Sequence, residues 1–211
     1  MPRHYVTAHR NVRLCRLVSP DLASRSFTQN ELRSRGICIQ TVGMSSANTT
    51  PASEVLAVVE WLSTHGTIYQ INGGWAVDAL VGRQTREHGD LDVFVDANSV
   101  PSLLAWLGDR GYTIVEDWLP IRIELASPLG RVDVHPMTIA SNGDGTQRGF
   151  GDETFLHTAA ERTTGTIDGH PVIVACQARL RQLREGYELR PEDHHDLGLL
   201  ARLGTETQPK S

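Results

Sequence analysis

Asp90 and Asp92 stand two positions apart in Gly89-Asp90-Leu91-Asp92-Val93, and a third acid follows in Arg131-Val132-Asp133-Val134-His135. Side chains alternate between the faces of a β-strand, so Asp90 and Asp92 share one face while Leu91, Val93 and Val95 share the other. Two carboxylates on one face repel each other unless a cation lies between them. A small set of oxygen ligands with room left for phosphate oxygens suits Mg²⁺ rather than Zn²⁺. Upstream, Gly73-Gly74 leads into a helical pattern. Glycines there present backbone N–H groups with no side chain in the way, a geometry suited to phosphate at a helix N-terminus. Turn and acids together predict metal-assisted phosphoryl or nucleotidyl chemistry. Asp90 and Asp92 are the expected metal ligands and Gly73 and Gly74 the expected phosphate contacts. Asp133 either completes the metal shell or serves as general base.

Arg83, Arg86 and His88 lie on the polar connection ahead of the acid strand. A guanidinium fork suits phosphate, and the competing reading is a surface loop paired with Asp78 or Glu87. Arg86 and His88 are carried forward as nucleotide-binding candidates. His135 shares the Asp133 face but reads as a hydrogen-bonded neighbour, outside the catalytic set. His194 and His195 diverge by about 100° on a helix, so they do not converge on one ion. The acids Glu188, Glu192, Asp193 and Asp196, near Tyr187, have two readings. They favour a helix N-terminus, or they line a pocket for a cationic acceptor.

The elements that must hold these residues are legible from residue 50 onward. Thr50 as cap, Pro51 at the first helical position and Val55, Val58, Val59 and Leu62 predict a helix over 51–65. A short strand over 67–71, the Gly-Gly turn and a helix over 75–80 follow, then the acid strand over 90–95. Val100, Leu103, Leu104 and Leu107 mark a helix that Gly111 ends. Alternating runs at 112–116, 121–126 and 131–137 predict strands, the last two joined in a hairpin through Ser127-Pro128-Leu129-Gly130. Residues 141–153, rich in Gly and polar groups, read as a mobile loop or substrate lid. A strand over 171–174 and helices over 175–185 and 191–203 complete the chain. The domain reading is an N-terminal extension over 1–43, disordered or non-native, a nucleotidyltransferase domain over 44–174 and a helical part over 175–211.

Charge separates the extension from the body. Residues 1–43 carry seven Arg against Asp21 and Glu31, whereas residues 44–211 carry 13 basic against 23 acidic side chains. Phosphate-backbone binding needs a basic track, so an acidic body argues against nucleic acid as partner. Three widely spaced cysteines with no CxxC pair argue against a disulfide framework or structural zinc. No run of about 18 apolar residues is present, so no membrane span is expected. With no secretory leader, the expected location is the cytoplasm.

The segment Gly73-Gly74-Trp75-Ala76-Val77-Asp78-Ala79-Leu80, continued by Gly82-Arg83, Thr85-Arg86, His88, Asp90 and Asp92, resembles the aminoglycoside and lincosamide antibiotic nucleotidyltransferases of the polymerase-β-like superfamily. The likeness extends through Val132-Asp133-Val134-His135-Pro136 and Glu185 to Asp193, covering about residues 54–203. It implies an α+β nucleotidyltransferase fold, a mixed β-sheet flanked by helices with a small helical C-terminal part. It also implies transfer of a nucleoside monophosphate from a nucleoside triphosphate, with ATP expected, to a hydroxyl of a small-molecule acceptor. Carried over by position, it assigns metal ligation to Asp90 and Asp92, a third carboxylate or base to Asp133, and phosphate contact to Gly73 and Gly74. Relatives often have Gly-Ser where this chain has Gly-Gly, so no hydroxyl contact to the nucleotide is expected. Two other readings stay open: a nucleotidyltransferase acting on tRNA or a protein, and a nucleotide-binding module without catalysis. The acidic body argues against RNA, and the presence of all three acids argues against the second. Oligomeric state is not readable from the sequence.

Overall fold

The computed structural model describes residues 49–185 and 188–206, all within one compact unit. The readings made for residues 1–43 and for Tyr187 lie outside the described residues.

Helix α1 (Ala52–Thr64) buries Val55, Val58, Val59 and Leu62. Thr50 does not cap it: Pro51 holds the cap position and no side chain bonds the free N–H groups. The Thr50 hydroxyl instead accepts from the Arg131 N–H at 2.8 Å and lies 3.1 Å from the Arg131 carbonyl and 3.2 Å from that of Gly89. Its own N–H donates to the His88 carbonyl at 2.7 Å. A residue that looks like a helix cap therefore clasps the starts of both acid-bearing segments.

Strand β1 (Tyr69–Ile71) leads into α2 (Gly73–Val81), then β2 (Leu91–Asp96), a 3₁₀ turn (Ala97–Ser99) and α3 (Val100–Asp109). Strands β3 (Thr113–Trp118), β4 (Arg122–Ser127), β5 (Gly130–Ile139), β6 (Gly145–Arg148) and β7 (Thr154–His157) follow. A second 3₁₀ turn (Ala159–Glu161), β8 (Arg162–Ile167), β9 (His170–Ala175), α4 (Gln177–Gln182) and α5 (Pro191–Glu206) complete the order. The sheet runs β3-β4-β5-β2-β1-β9-β8, with β6 on β5 and β7 on β6. It is mixed, since β2–β5 and β1–β9 are parallel while the other pairs are antiparallel. The α+β expectation holds.

The β2–β5 register sets Asp92 beside Asp133 and Phe94 beside His135. Leu91, Val93, Val95, Val132 and Val134 are fully buried and join the core with Val55, Leu62, Leu103 and Leu107. Each contributes roughly 1.5–3 kcal/mol by burial. A one-residue slip would drive the acids into that core, so the apolar alternation fixes the face of the site.

Residues 141–153 differ from the expected mobile lid. Most of the segment is a turn and the β6–β7 hairpin, in register from Gly145↔His157 to Arg148↔Thr154. Gly145 and Gln147 are buried while Thr146 and Arg148 are exposed, so β6 alternates as a strand should, with a polar residue inside. Strand β8 was likewise absent from the expectations, its sequence Arg162-Thr-Thr-Gly-Thr-Ile167 offering one large apolar residue. Helices α4 and α5 pack on α2. Among the described residues no helix is long and apolar enough to cross a membrane.

His157, 1% exposed at the end of β7, has its pKa pulled down to about 4, first by burial and then by the charge of Arg179. An unfolded imidazole titrates near its ordinary value of about 6.5, so the unfolded chain takes up the proton first. The resulting loss of stability begins as pH falls below about 6.5 and is complete near 4, amounting to at most about 3 kcal/mol. The melting temperature of the parent relative to His157→Gln should therefore fall across this window. A constant difference would contradict the buried neutral imidazole.

Candidate active site

Asp92 and Asp133 face the same way from adjacent parallel strands, and one ligand atom each from Asp92, Asp133 and His135 lies within 4.8 Å of the others. His135 Nε2 is 3.5 Å from Asp133 Oδ2 and 3.8 Å from Asp92 Oδ1. Arg122 donates to Asp133 Oδ2 at 2.6 Å and also pairs with Glu116. Burial works against the Asp133 charge, but hydrogen bonding from His135 and the Arg122 charge outweigh it and hold its pKa below the usual carboxylate value. Its second oxygen, Oδ1, is buried with no hydrogen-bond partner. A buried carboxylate oxygen that keeps its charge and lacks a donor is suited to a cation.

Asp90 lies one residue ahead of β2 and reaches solvent. Partial desolvation of its carboxyl, followed by repulsion from Asp92 and Asp133, raises its pKa to about 6. It is outside the tight cluster but feels the same concentration of negative charge. His135 shows the converse: burial opposes its protonation, yet Asp133 and Asp92 push its pKa up to about 9. The sequence placed His135 on the correct face and left it out of the site. Its parity with Asp133 was the available signal.

Gly73 opens α2 with φ 61°, and a Cβ there would overlap the Asp92 carboxylate. A Cβ at Gly74 would overlap the Arg86 guanidinium and the His88 ring. The two glycines are thus in the first turn of the helix rather than a turn before it, Gly73 packed on the acid strand and Gly74 on the connection that precedes it. His88 is buried, with Nε2 2.6 Å from Asp78 Oδ2 and its ring 4.5 Å from Trp75. Desolvation would raise the Asp78 pKa, but bonds from His88 and from Thr85 lower it. This pairing is the loop-holding alternative weighed from the sequence, and it fixes the connection against α2.

Arg86 forms a fork on Asp196, Nε to Oδ1 and Nη2 to Oδ2, both at 3.0 Å. Arg184 also donates to Asp196 Oδ2, at 2.8 Å. Arg190 bonds Asp193 at 3.0 Å. Asp193 and Asp196 are 3% and 1% exposed, so these acids are buried partners of arginines. Glu192, Asp193 and Asp196 all line the cleft of the acid strands, as the second sequence reading has it, but Asp193 and Asp196 do so as partners of arginines rather than as free charges. Replacing Asp196 with Ala would strand the buried Arg184 charge, a loss of about 3–5 kcal/mol. The melting temperature should drop by about 10 °C, and an unchanged melt would contradict the pairing.

Gly73, Gly74, Arg86, His88, Asp90, Asp92 and His135 line one cleft of about 440 Å³ together with Arg184, Arg190, Glu192, Asp193 and Asp196 from the C-terminal part, while Asp133 lies beside Asp92 in the strand register and is not part of the lining. Of the expected site residues, Gly73, Gly74, Arg86, His88, Asp90 and Asp92 line this cleft and Asp133 is the register partner of Asp92, whereas Arg83 and Glu188 are not in the lining. Arg184 was not anticipated, since it falls in a helical run with no motif around it.

The model of the aminoglycoside-2''-adenylyltransferase family matches residues 54–200. A lincosamide resistance protein of Staphylococcus haemolyticus is 31% identical over 155 residues, spanning 71% of this chain and 94% of its own. The crystal structure of a lincosamide antibiotic adenylyltransferase with lincomycin bound superposes with TM-score 0.69 at 27% identity, covering 74% of this chain and 99% of that one. The aminoglycoside enzyme ANT(2'')-Ia, in complex with adenylyl-2''-tobramycin, shares the fold at TM-score 0.55 and 19% identity, over 74% of this chain and 90% of its own. Nucleotidyltransferases of this kind use a nucleoside triphosphate and a metal. With a matching family model across the acid strands, the glycine turn and the C-terminal helices, the chain is a nucleotidyltransferase that belongs to the aminoglycoside-2''-adenylyltransferase family.

Proposed function

We propose that the protein transfers an adenylyl group from Mg·ATP to a hydroxyl of an antibiotic, with a lincosamide as the favoured acceptor and an aminoglycoside as the second. The carrying observation is the parallel pairing of Asp92 with Asp133, with the N-terminus of α2 packed on Asp92 through Gly73. Metal ligation by Asp90, Asp92 and Asp133 fits this arrangement, because the unpartnered Asp133 Oδ1 supplies an oxygen with nothing else to bond. A bound Mg²⁺ would be held by these carboxylates and would supply Lewis-acid stabilisation of the negative charge that builds during transfer. The N–H groups at Gly73 and Gly74 meet the phosphates, and His88 and Arg86 hold those glycines and the cleft wall in place.

In-line displacement needs the hydroxyl opposite the leaving pyrophosphate. With the phosphates over α2, the acceptor enters over β3, β4 and β5. There Glu124 is the register partner of Asp133, and Arg122 steadies Asp133. Trp118 and Phe150, both exposed and edge to face at 5.2 Å, offer an apolar wall on that side. With Oδ1 open to the metal and Oδ2 held by Arg122 at 2.6 Å, Asp133 acts as a ligand, and the hydroxyl proton passes to solvent as the new P–O bond forms and the bond to pyrophosphate breaks. The neutralised Asp193 and Asp196 remove much of the attraction a polycation would feel, which favours the lincosamide.

Pyrophosphate release should be measured with Mg²⁺ and each of the four NTPs against lincosamides, aminoglycosides and tRNA. Release that requires ATP and a lincosamide supports the proposal. Release only with tRNA would replace it with a macromolecular acceptor.

A further inference from the structure

Gln147 stands between two imidazoles. Its amide N–H donates to His135 Nδ1 at 3.1 Å, and its oxygen accepts from His157 Nε2 at 3.2 Å. His157 Nδ1 in turn lies 3.5 Å from Gln70 Nε2, which also donates to Asn72 Oδ1 at 3.3 Å. Gln70, Asn72, Gln147 and His157 are all buried, and Phe94 covers His135 in a stack at 4.3 Å and lies 4.8 Å from His157. A buried polar chain is costly where it is left unbonded, and here Gln70 Oε1, Asn72 Nδ2 and His135 Nε2 are buried without a partner, the last of them on the side of the acids. The polar chain runs from β1 through the β6–β7 hairpin to the acids, and none of the roles above uses it.

The direction of the bonds carries a consequence. With the Gln147 N–H on Nδ1, the single proton of a neutral His135 ring must sit on Nε2, the atom that approaches Asp133 and Asp92. An Nδ1 that accepts from the Gln147 amide carries no proton of its own, so the ring in this bond is the neutral form. The cluster of Asp92, Asp133 and His135 could otherwise serve as a mixed oxygen and nitrogen set, which suits Zn²⁺ or Co²⁺ better than Mg²⁺.

We propose that Gln147, held by His157, is a positioning residue that fixes the Nε2–H tautomer of His135, so that the ring serves Asp92 and Asp133 as a hydrogen-bond donor and the metal site stays all-oxygen. The proposal rests on the metal reading above. Outer partners of this kind are worth about 10–100-fold in metal affinity. Gln147→Glu presents only an acceptor to His135, moves the ring proton to Nδ1 and frees the Nε2 lone pair for a nitrogen-seeking ion. Gln147→Met removes both bonds and leaves the tautomer unspecified.

The test is nitrogen-15 NMR of the histidine rings in the full chain with Mg²⁺, together with Co²⁺ and Mg²⁺ titrations followed by absorption and by melting temperature. The expected result is an Nε2–H tautomer for His135 in the Mg²⁺-loaded parent. Gln147→Glu should shift to Nδ1–H and gain about tenfold in Co²⁺ affinity relative to Mg²⁺, with Gln147→Met between the two. An Nδ1–H tautomer in the loaded parent, or an unchanged metal ratio in a folded Gln147→Glu, overturns the proposal while leaving metal binding intact. Should Gln147→Glu fail to fold, the tautomer of the loaded parent decides alone. If neither ion perturbs the parent's His135 signals or its melting temperature, the metal reading itself falls, and this proposal with it.

Discussion

Asp92→Asn should lower kcat by at least about a thousandfold, the equivalent of about 4 kcal/mol of transition-state stabilisation, while its melting temperature stays within a few degrees of the parent. The substitution keeps side-chain size and shape but removes the charge that pairs with Asp133 across the β2–β5 register. The Asp92 side chain is 32% exposed and its nearest cationic neighbour, His135 Nε2, is 3.8 Å away, so no buried pair is broken. Removing the charge also relieves Asp90, whose pKa is raised first by desolvation and then by Asp92. Steady-state kinetics beside a thermal melt separates the two effects. Turnover near that of the parent in Mg²⁺ would remove Asp92 from the ligand set.

Gly73→Ala should lose both activity and stability, and lose more activity than stability accounts for. A φ of 61° costs an L-residue about 1–2 kcal/mol. The new methyl would also overlap the Asp92 carboxylate, so either α2 or the acid must move. A displacement of about 1 Å at a reacting centre costs about a hundredfold in rate. Assayed well below its melting temperature, the variant should therefore retain no more than about one per cent of parental kcat/KM. Full activity at that temperature would mean that the α2 N-terminus and Asp92 do not act together.

The apolar alternation made the acid face readable: Leu91, Val93, Val95, Val132 and Val134 are fully buried, which leaves Asp92 and Asp133 nowhere else to point. The glycine turn was readable for the same kind of reason, because a helix start packed on a carboxylate leaves no room for a Cβ. The strands β6 and β8 were hidden by their composition. Strand β6 buries Gln147, a polar residue whose interior position makes sense only once His135 and His157 are seen on either side of it, 12 and 10 residues away. Long-range pairing hid other roles too. Asp196 reads locally as a helix-start acid, yet its partners are Arg184 and, 110 residues distant, Arg86. Thr50 likewise reads as a cap until Arg131 is found on its hydroxyl.

The most direct test of nucleotidyl transfer to an antibiotic is mass spectrometry of a lincosamide after incubation with the purified protein, Mg²⁺ and ATP. The account predicts an antibiotic heavier by one adenylyl group, formed with equimolar pyrophosphate and absent when Asp92→Asn replaces the parent. An unmodified lincosamide and an unmodified aminoglycoside panel, with label appearing on tRNA or a co-purifying protein instead, would contradict it.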